Sequence, residues 1–352
     1  MDESRLAFLR RLLSTPGPSG DEAAAARVWR EEARTFADSV RADVAGNSFA
    51  LLEGGSPRLL LAGHIDEIGL MVSHIDDQGF LFFAAVGGWD SQVLVGQRVR
   101  LLGKNSEVVG VIGKKPIHLI KPDERSKAST IEQMWIDIGV TSRAEALEHV
   151  RVGSVGVIDA PLYELPNRRL VSRSLDDRIG AYVVLEALRL LSADRPTATV
   201  AAVATTQEEI TFGGATTAAY SFEPQVAIAV DVTFATDHPD SEQRQWGDVK
   251  LGGGPALSRG SANSPLVYER LIAVAEAEQI PYSVQISPRY TGTDADAIFL
   301  SRGGVATGVV SVPNRYMHSP NEMVHLDDVA NAARLIAAFV RSLRSADEFV
   351  PQ

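Results

Sequence analysis

Apolar residues fall into two textures along the chain. Short continuous runs bounded by turn residues recur at Leu59-Leu60-Leu61-Ala62, at residues 198–204, at Val226-Ala227-Ile228-Ala229-Val230 and at residues 305–312. Runs of that length, rich in Val, Leu and Ala, predict strands buried on both faces, as in parallel sheets. Elsewhere the spacing is helical. Leu6, Leu9, Leu12 and Leu13 predict an N-terminal helix ended by Pro16-Gly17-Pro18. Ser19-Gly20-Asp21-Glu22 has the form of a capping box that opens a second helix to about Phe36. Residues 40–52 alternate like a strand or hairpin, and further helices are predicted over residues 178–191, 265–279 and 327–343.

Residues 70–162 read differently. Stretches such as Gln97-Arg98-Val99-Arg100-Leu101 and Val108-Val109-Gly110-Val111-Ile112 alternate briefly and are punctuated by glycine. Strands this short predict a small β-barrel. Helical periodicity appears there only around residues 142–149. The simplest organisation is an insertion. One α/β domain is formed by residues 1–69 and 163–352, and residues 70–162 are a β unit set into it.

Each apolar run leads to metal-ligand chemistry. His64 and Asp66 follow the first, Glu208 and Glu209 the second, Asp231 the third, and His318 comes shortly after the fourth. In open α/β sheets, ligands bind in the crevice outside the carboxyl ends of the strands. With Asp176-Asp177 just before a predicted helix, the set suits a pair of divalent cations. His64 and Asp66 are two apart in a strand-like segment and so point the same way. A carboxylate so placed can steady a ligating imidazole. The consecutive carboxylates of Glu208 and Glu209 repel each other unless a cation compensates. Two jobs account for the pair: one binds a metal, and the other takes a proton from water. Taken singly, Asp176-Asp177 could be a helix cap, Asp231 a turn cap and His318 polar surface. Their shared place at strand ends favours the metal reading. His74, His118, His149, His238 and His325 have no such setting. Gly252-Gly253-Gly254 is not a dinucleotide fingerprint, Gly113-Lys114-Lys115 lacks the rest of a P-loop, and a Gly-x-Ser-x-Gly elbow is absent.

Composition narrows the partners. The 352 residues, 45% hydrophobic, suffice for two domains with full cores. Lys+Arg 34 against Asp+Glu 45 leaves a net charge of -11, which argues against nucleic acid or an anionic membrane as main partner. Without cysteine there are no disulfides and no thiolate zinc sites. Met1-Asp2-Glu3-Ser4-Arg5 lacks the apolar stretch of a signal peptide, and no run approaches the roughly 20 residues of a membrane helix. The expectation is a soluble cytoplasmic protein.

Seven stretches carry a resemblance that spans nearly the whole chain. They are Pro16-Gly17-Pro18-Ser19-Gly20, Ala62-Gly63-His64-Ile65-Asp66-Glu67-Ile68-Gly69, Gly87-Gly88-Trp89-Asp90, Ser174-Leu175-Asp176-Asp177-Arg178, Gln207-Glu208-Glu209, Gly292-Thr293-Asp294-Ala295 and Arg315-Tyr316-Met317-His318-Ser319-Pro320. In this order they resemble the M42 family of metallo-aminopeptidases, the glutamyl and tetrahedral (TET) aminopeptidase group. The resemblance implies a mixed-sheet α/β metallopeptidase domain whose inserted barrel is a PDZ-like dimerisation unit. It implies His64 and Asp231 on one metal, Glu209 and His318 on the other, and Asp176 as the bridge. Glu208 would be the general base, with Asp66 supporting His64. It further implies two divalent ions per subunit (zinc first, cobalt or manganese as alternatives), peptide substrates cut after the N-terminal residue, and a homo-oligomer in which dimers build a tetrahedral dodecamer. Two positions depart from the family's pattern: Thr211-Phe212 after the Glu pair, and Asp296, where a small residue is common. If Asp296 pointed inward it would disfavour N-terminal Glu and Asp; if outward, an apolar lining suited to Leu-like residues would remain.

Three other readings compete. One is a metal-dependent amidohydrolase or deacylase acting on acylated amino acids. Another is a non-catalytic assembly protein of the same fold, against which the intact ligand set and Glu208 speak. The weakest is a glycosidase using Glu208 and Glu209, since adjacent residues would have to hold their carboxyls roughly 5 Å or more apart across a sugar.

Overall fold

The computed structural model describes residues 2–351. Eight strands make one mixed sheet, in the order Ser39–Ala42, Ser48–Leu52, Ala198–Thr205, Gly55–His64, Val226–Phe234, Ala306–Asn314, Ala256–Gly260 and Ser283–Ser287. The central strands, from Ala198–Thr205 to Ala306–Asn314, are parallel and contain the apolar runs. They are buried almost throughout because helices cover both faces. Successive side chains go to opposite sides. Leu59 and Leu61 join Val200, Ile228 and Ile179 in the larger core, under the helices Leu175–Ala193 and Leu326–Ser342. Leu60 and Ala62 join Val203 and Phe222 on the other face, under the helix Gly213–Phe222.

The strand that carries His64 and the helix that carries Asp176 touch through glycine. A Cβ on Gly63 would stand 2.4 Å from the carbonyl carbon of Gly180 and 2.6 Å from the nitrogen of Ala181. Both obstacles are backbone, so the strand or the helix would have to move. Gly63→Ala is therefore expected to destabilise the protein by about 1–3 kcal/mol, as overpacked sites do. Urea unfolding checks this, and an unchanged midpoint would show that the contact is slack.

Six antiparallel strands, Gly69–Ile75, Leu81–Val86, Met134–Asp137, Glu107–Lys114, Arg98–Leu102 and Val155–Ile158, close into a barrel. Leu70, Leu81, Val99, Ile112 and Ile136 fill it. Closure leaves no free edge. The helix predicted in this stretch is Arg143–His149, capped by the Ser142 side chain. Leu70 pairs with Gly156, so the chain enters and leaves the barrel at neighbouring points. A three-stranded sheet of Tyr163–Leu165, Arg169–Ser172 and Glu322–His325 then sets the segment before Asp176 beside the segment after His318. No described helix is long and apolar enough to cross a membrane.

Two local expectations fail. The capping box does not form: the second helix is Ala23–Ala33, Glu22 stands at its N-cap position, and no side chain caps it. The Glu22 carboxylate is turned instead to the N–H groups of Gly20 at 2.6 Å and Gln207 at 3.2 Å. Asp231 does not end its strand, which continues through Val232 to Phe234 in register with Val312 to Asn314. Asp176 and Asp177 stand, as expected, ahead of the regular turns of Leu175–Ala193, with non-helical backbone at both.

Candidate metal centre

Parallel strands deliver their C-terminal ends to one edge of the sheet, and the predicted residues arrive there together. His64 is the last residue of its strand, and Glu208 and Glu209 open the short helix Glu208–Thr211 just past Ala198–Thr205. Three of the incoming segments turn through non-glycine residues in the left-handed region: Ser174 at φ 58°, Gln207 at φ 58° and His318 at φ 57°. Each such residue costs on the order of 1 kcal/mol and persists only where its surroundings impose it.

Asp176 sits between two histidines. His64 Nε2 is 3.2 Å from its Oδ1, and His318 Nε2 is 3.3 Å from its Oδ2. Ligand atoms of His64, Asp176 and Asp231 lie within 4.8 Å of one another, as do those of Asp176, Glu209 and His318. Glu208 belongs to neither group, although its Oε2 is 3.7 Å from His64 Nε2. Behind them, Asp66 Oδ1 is 3.3 Å from His64 Nδ1, and the Asp66 carboxylate accepts the backbone N–H groups of Glu208 and Glu209 at 3.2 Å each. Asp177 accepts the N–H of His64 at 3.2 Å and of Gly180 at 2.9 Å. The two adjacent aspartates thus do different work: Asp176 faces the histidines and Asp177 ties strand to helix.

The cluster is short of positive charge. Burial, reinforced by Asp231 and Asp294 against the pull of His64, pushes Glu208 up to about 11. Burial and the neighbouring Asp176 push Glu209 up to about 8 and Asp231 well above the carboxylate range. Burial acts to lower His318, but the hydrogen bond and charge of Asp176 carry it to about 9. Among the candidate ligand carboxylates Asp176 is the exception: burial raises it, and hydrogen bonds from His318 and His64 hold it below the usual range. Glu209 Oε1 is buried with no hydrogen-bond partner among the described residues. Imidazole nitrogens, carboxylate oxygens and one orphaned oxygen make a donor set that fits divalent cations such as zinc, cobalt or manganese. A cation must displace the protons that Glu209 and His318 hold at neutral pH. Affinity for Zn2+ is therefore expected to rise between pH 6 and pH 8, by about tenfold per pH unit for each proton displaced. Competition titrations across that range check it, and a flat profile would contradict the proton-holding cluster.

Several supporting residues carried no signal of their own. Glu67 pairs with Arg173 and, at 2.8 Å, with Arg178, and accepts the N–H of Gly17 at 3.1 Å. Arg178, fully buried, donates to the Ile65 carbonyl at 3.1 Å and so anchors the His64–Asp66 turn. Both occur in stretches quoted above, but nothing in a helix's periodicity says that an arginine will point inward. Glu322 accepts the N–H of Asp176 and of His318 at 3.0 Å each. Its nearness to His318 along the chain is the only hint. Asp294 is buried against the Thr205 hydroxyl.

A cleft of 460 Å³ opens from the cluster. Phe234, Trp246, Ile286 and Tyr290 line it, and among the described residues no lysine or arginine does. Phe212, one of the two departures from the family pattern, forms part of its wall from a left-handed backbone at φ 53°. The other, Asp296, faces away. Its carboxylate accepts the N–H groups of Thr291 at 2.9 Å and Gly292 at 2.7 Å, inside its own loop.

Comparison with known proteins agrees over the whole length. The family described as M42 glutamyl aminopeptidase matches residues 46–335. The lysyl aminopeptidase of Pyrococcus furiosus is 36% identical over 350 residues, which cover 98% of this chain and 99% of that protein. The crystal structure of a TET aminopeptidase from a marine sediment archaeon of the Thaumarchaeota superposes with a TM-score of 0.93, at 36% identity and 97% coverage of both chains. The TET1 peptidase of Pyrococcus horikoshii, which can assemble into a tetrahedron or a large octahedral shell, superposes with a TM-score of 0.86, at 33% identity, covering 96% of this chain and 100% of that one. With this likeness added to a barrel set into a mixed α/β fold, the chain belongs to the M42 family of glutamyl aminopeptidases.

Proposed function

We propose that this aminopeptidase works with a pair of divalent ions, one held by His64 and Asp231, the other by Glu209 and His318, with Asp176 shared. The observation that carries this reading is the position of Asp176, whose two oxygens face two histidines on opposite sides at 3.2 and 3.3 Å. Zinc is the preferred ion, and cobalt or manganese suits the same donors. When bound, such ions polarise the scissile carbonyl and make a water more acidic. Glu208, outside both ligand groups, would give up its own proton once two cations offset the surrounding carboxylates, and could then take the proton of the attacking water and pass it to the departing amine. Asp66 keeps Glu208 and Glu209 in place through their backbone and keeps the His64 ring oriented.

The cleft suits a peptide entering by its N-terminus. Asp176, Glu208, Glu209 and Asp231 line one end and attract a free α-amine, which limits the cut to the first residue. The adjoining walls are apolar at Phe234, Trp246 and Ile286, and the Asp296 carboxylate is engaged in its own loop, so the apolar lining decides and Leu-like N-terminal residues fit better than charged ones. A panel of aminoacyl-p-nitroanilides tests the proposal on metal-stripped protein with Zn2+, Co2+ or Mn2+ restored. Metal-dependent release from Leu-p-nitroanilide, above Glu-p-nitroanilide, is expected. Turnover of N-acetylated amino acids in its place would identify a deacylase.

Assembly belongs to the same reading: copies pair through the barrel, and the pairs build a tetrahedral dodecamer. Since Leu70 pairs with Gly156, a short linker can replace the barrel without stretching the rest of the chain. Removing residues 71–161 should yield a smaller particle by light scattering, and an unchanged particle refutes the role.

A further inference from the structure

Buried carboxylates tie down the backbone that presents the ligands. Asp66 holds the N–H groups of Glu208 and Glu209, and Asp177 holds that of His64. Glu322 differs from both because its two oxygens grip two ligand segments that are far apart in sequence. Oε2 accepts the N–H of Asp176 and Oε1 accepts the N–H of His318, each at 3.0 Å. The side chain is 2% exposed and stands at the start of the strand Glu322–His325, where Glu322 pairs with Ser172. Asp176 is in the irregular first turn of its helix, and His318 is a non-glycine residue with φ 57° in a loop. Neither residue has the backbone conformation of a regular helix or strand. Burying a carboxylate against two amides rather than a cation is costly. A glutamine of the same shape cannot do the work, since its NH2 would meet an N–H donor head-on.

We propose that Glu322 is a positioning residue, which sets the spacing between the Asp176 and His318 ligands by accepting the backbone N–H of both; the inference rests on the two-ion reading above. Glu322 touches neither ions nor substrate and acts only through the segments it joins. Asp176 is also anchored by the buried helix Leu175–Ala193, whereas the His318 side chain is 36% exposed, so loosening falls mainly on the His318 side.

The test is a stepwise Co2+ titration of the metal-free full-length protein, followed by its visible absorption, for wild type and Glu322→Gln. Asp328→Asn is the control: Asp328 is another buried carboxylate that accepts two backbone N–H groups, of Gly252 at 2.7 Å and Gly254 at 2.8 Å, and it does not line the cleft. In Glu322→Gln one Co2+ step should weaken by roughly tenfold or more, with an altered band, while the other stays nearly unchanged. Asp328→Asn should change neither step. Hydrogen–deuterium exchange of residues 315–321 in the metal-free protein gives a readout independent of the ions. It should quicken by about tenfold in Glu322→Gln and not in Asp328→Asn. Glu322→Asp, one methylene short but still an acceptor, should recover part of both effects, and it serves as the test variant if Glu322→Gln does not fold. Unchanged exchange at residues 315–321, two unchanged Co2+ steps, or equal effects in the Asp328→Asn control would overturn the proposal. A wild type that binds fewer than two Co2+ overturns the two-ion reading alone, and the exchange data still decide the role of Glu322.

Discussion

Glu208→Gln should lower kcat by about 10²–10⁴-fold, the typical loss for a general base, while the protein keeps its metal ions. The expectation follows from the division of labour within one acidic pair. Glu209 Oε2 is 3.5 Å from His318 Nε2 and belongs to a ligand group, whereas Glu208 belongs to none. The amide keeps the shape of the side chain but accepts no proton. Asp66 binds the backbone at 208, not its side chain, so the turn should stay as it is. Steady-state kinetics together with elemental analysis decide the matter. A variant with near-normal kcat, or one that has lost its metal, removes Glu208 from the role of base.

His318→Ala and Asp176→Ala should differ in how much metal they lose. Asp176 takes part in both ligand groups and His318 in one. Removal of the shared carboxylate should therefore empty both positions and abolish activity. Removal of His318 should leave one ion in place and cost about 100-fold or more in affinity for the other. The His318 side chain is 36% exposed, so its loss opens no core cavity and stability should change little. Equilibrium dialysis against Zn2+ followed by metal analysis separates the outcomes. Two tightly bound ions in His318→Ala would show that the histidine is not a ligand.

Much of the architecture was legible because burial writes itself into local pattern. The strand ending at His64 reads as Leu59-Leu60-Leu61-Ala62 because both faces of a central parallel strand are covered, and an apolar residue is then needed at every position. The barrel read as short alternation because only one side of each of its strands faces a core. Boundaries were less legible. The strand of Asp231 runs on to Phe234 because pairing with Ala306–Asn314 continues past the last aliphatic residue of the run, and that partner is remote in sequence. Glu22 had the spacing of a capping box, but tertiary packing brought Gln207 within reach and the carboxylate bonded there.

The sequence by itself determined the sheet's buried strands, the barrel and the residues that could ligate a metal, because periodicity and residue chemistry are local properties. It also determined that Glu208 and Glu209 needed some compensation, since adjacent carboxylates after a buried strand repel wherever the strand lies. Only the tertiary structure decided which oxygen faces which nitrogen. The separation of Asp176 from Asp177, one facing His64 and His318 and the other binding the His64 backbone, depends on a non-helical turn that no spacing rule encodes. The grip of Glu322 on Asp176, and the anchoring of Ile65 by Arg178, join segments more than a hundred residues apart. Such bonds exist because a buried N–H or carbonyl must find a partner, and which partner it finds is settled only when the chain has packed.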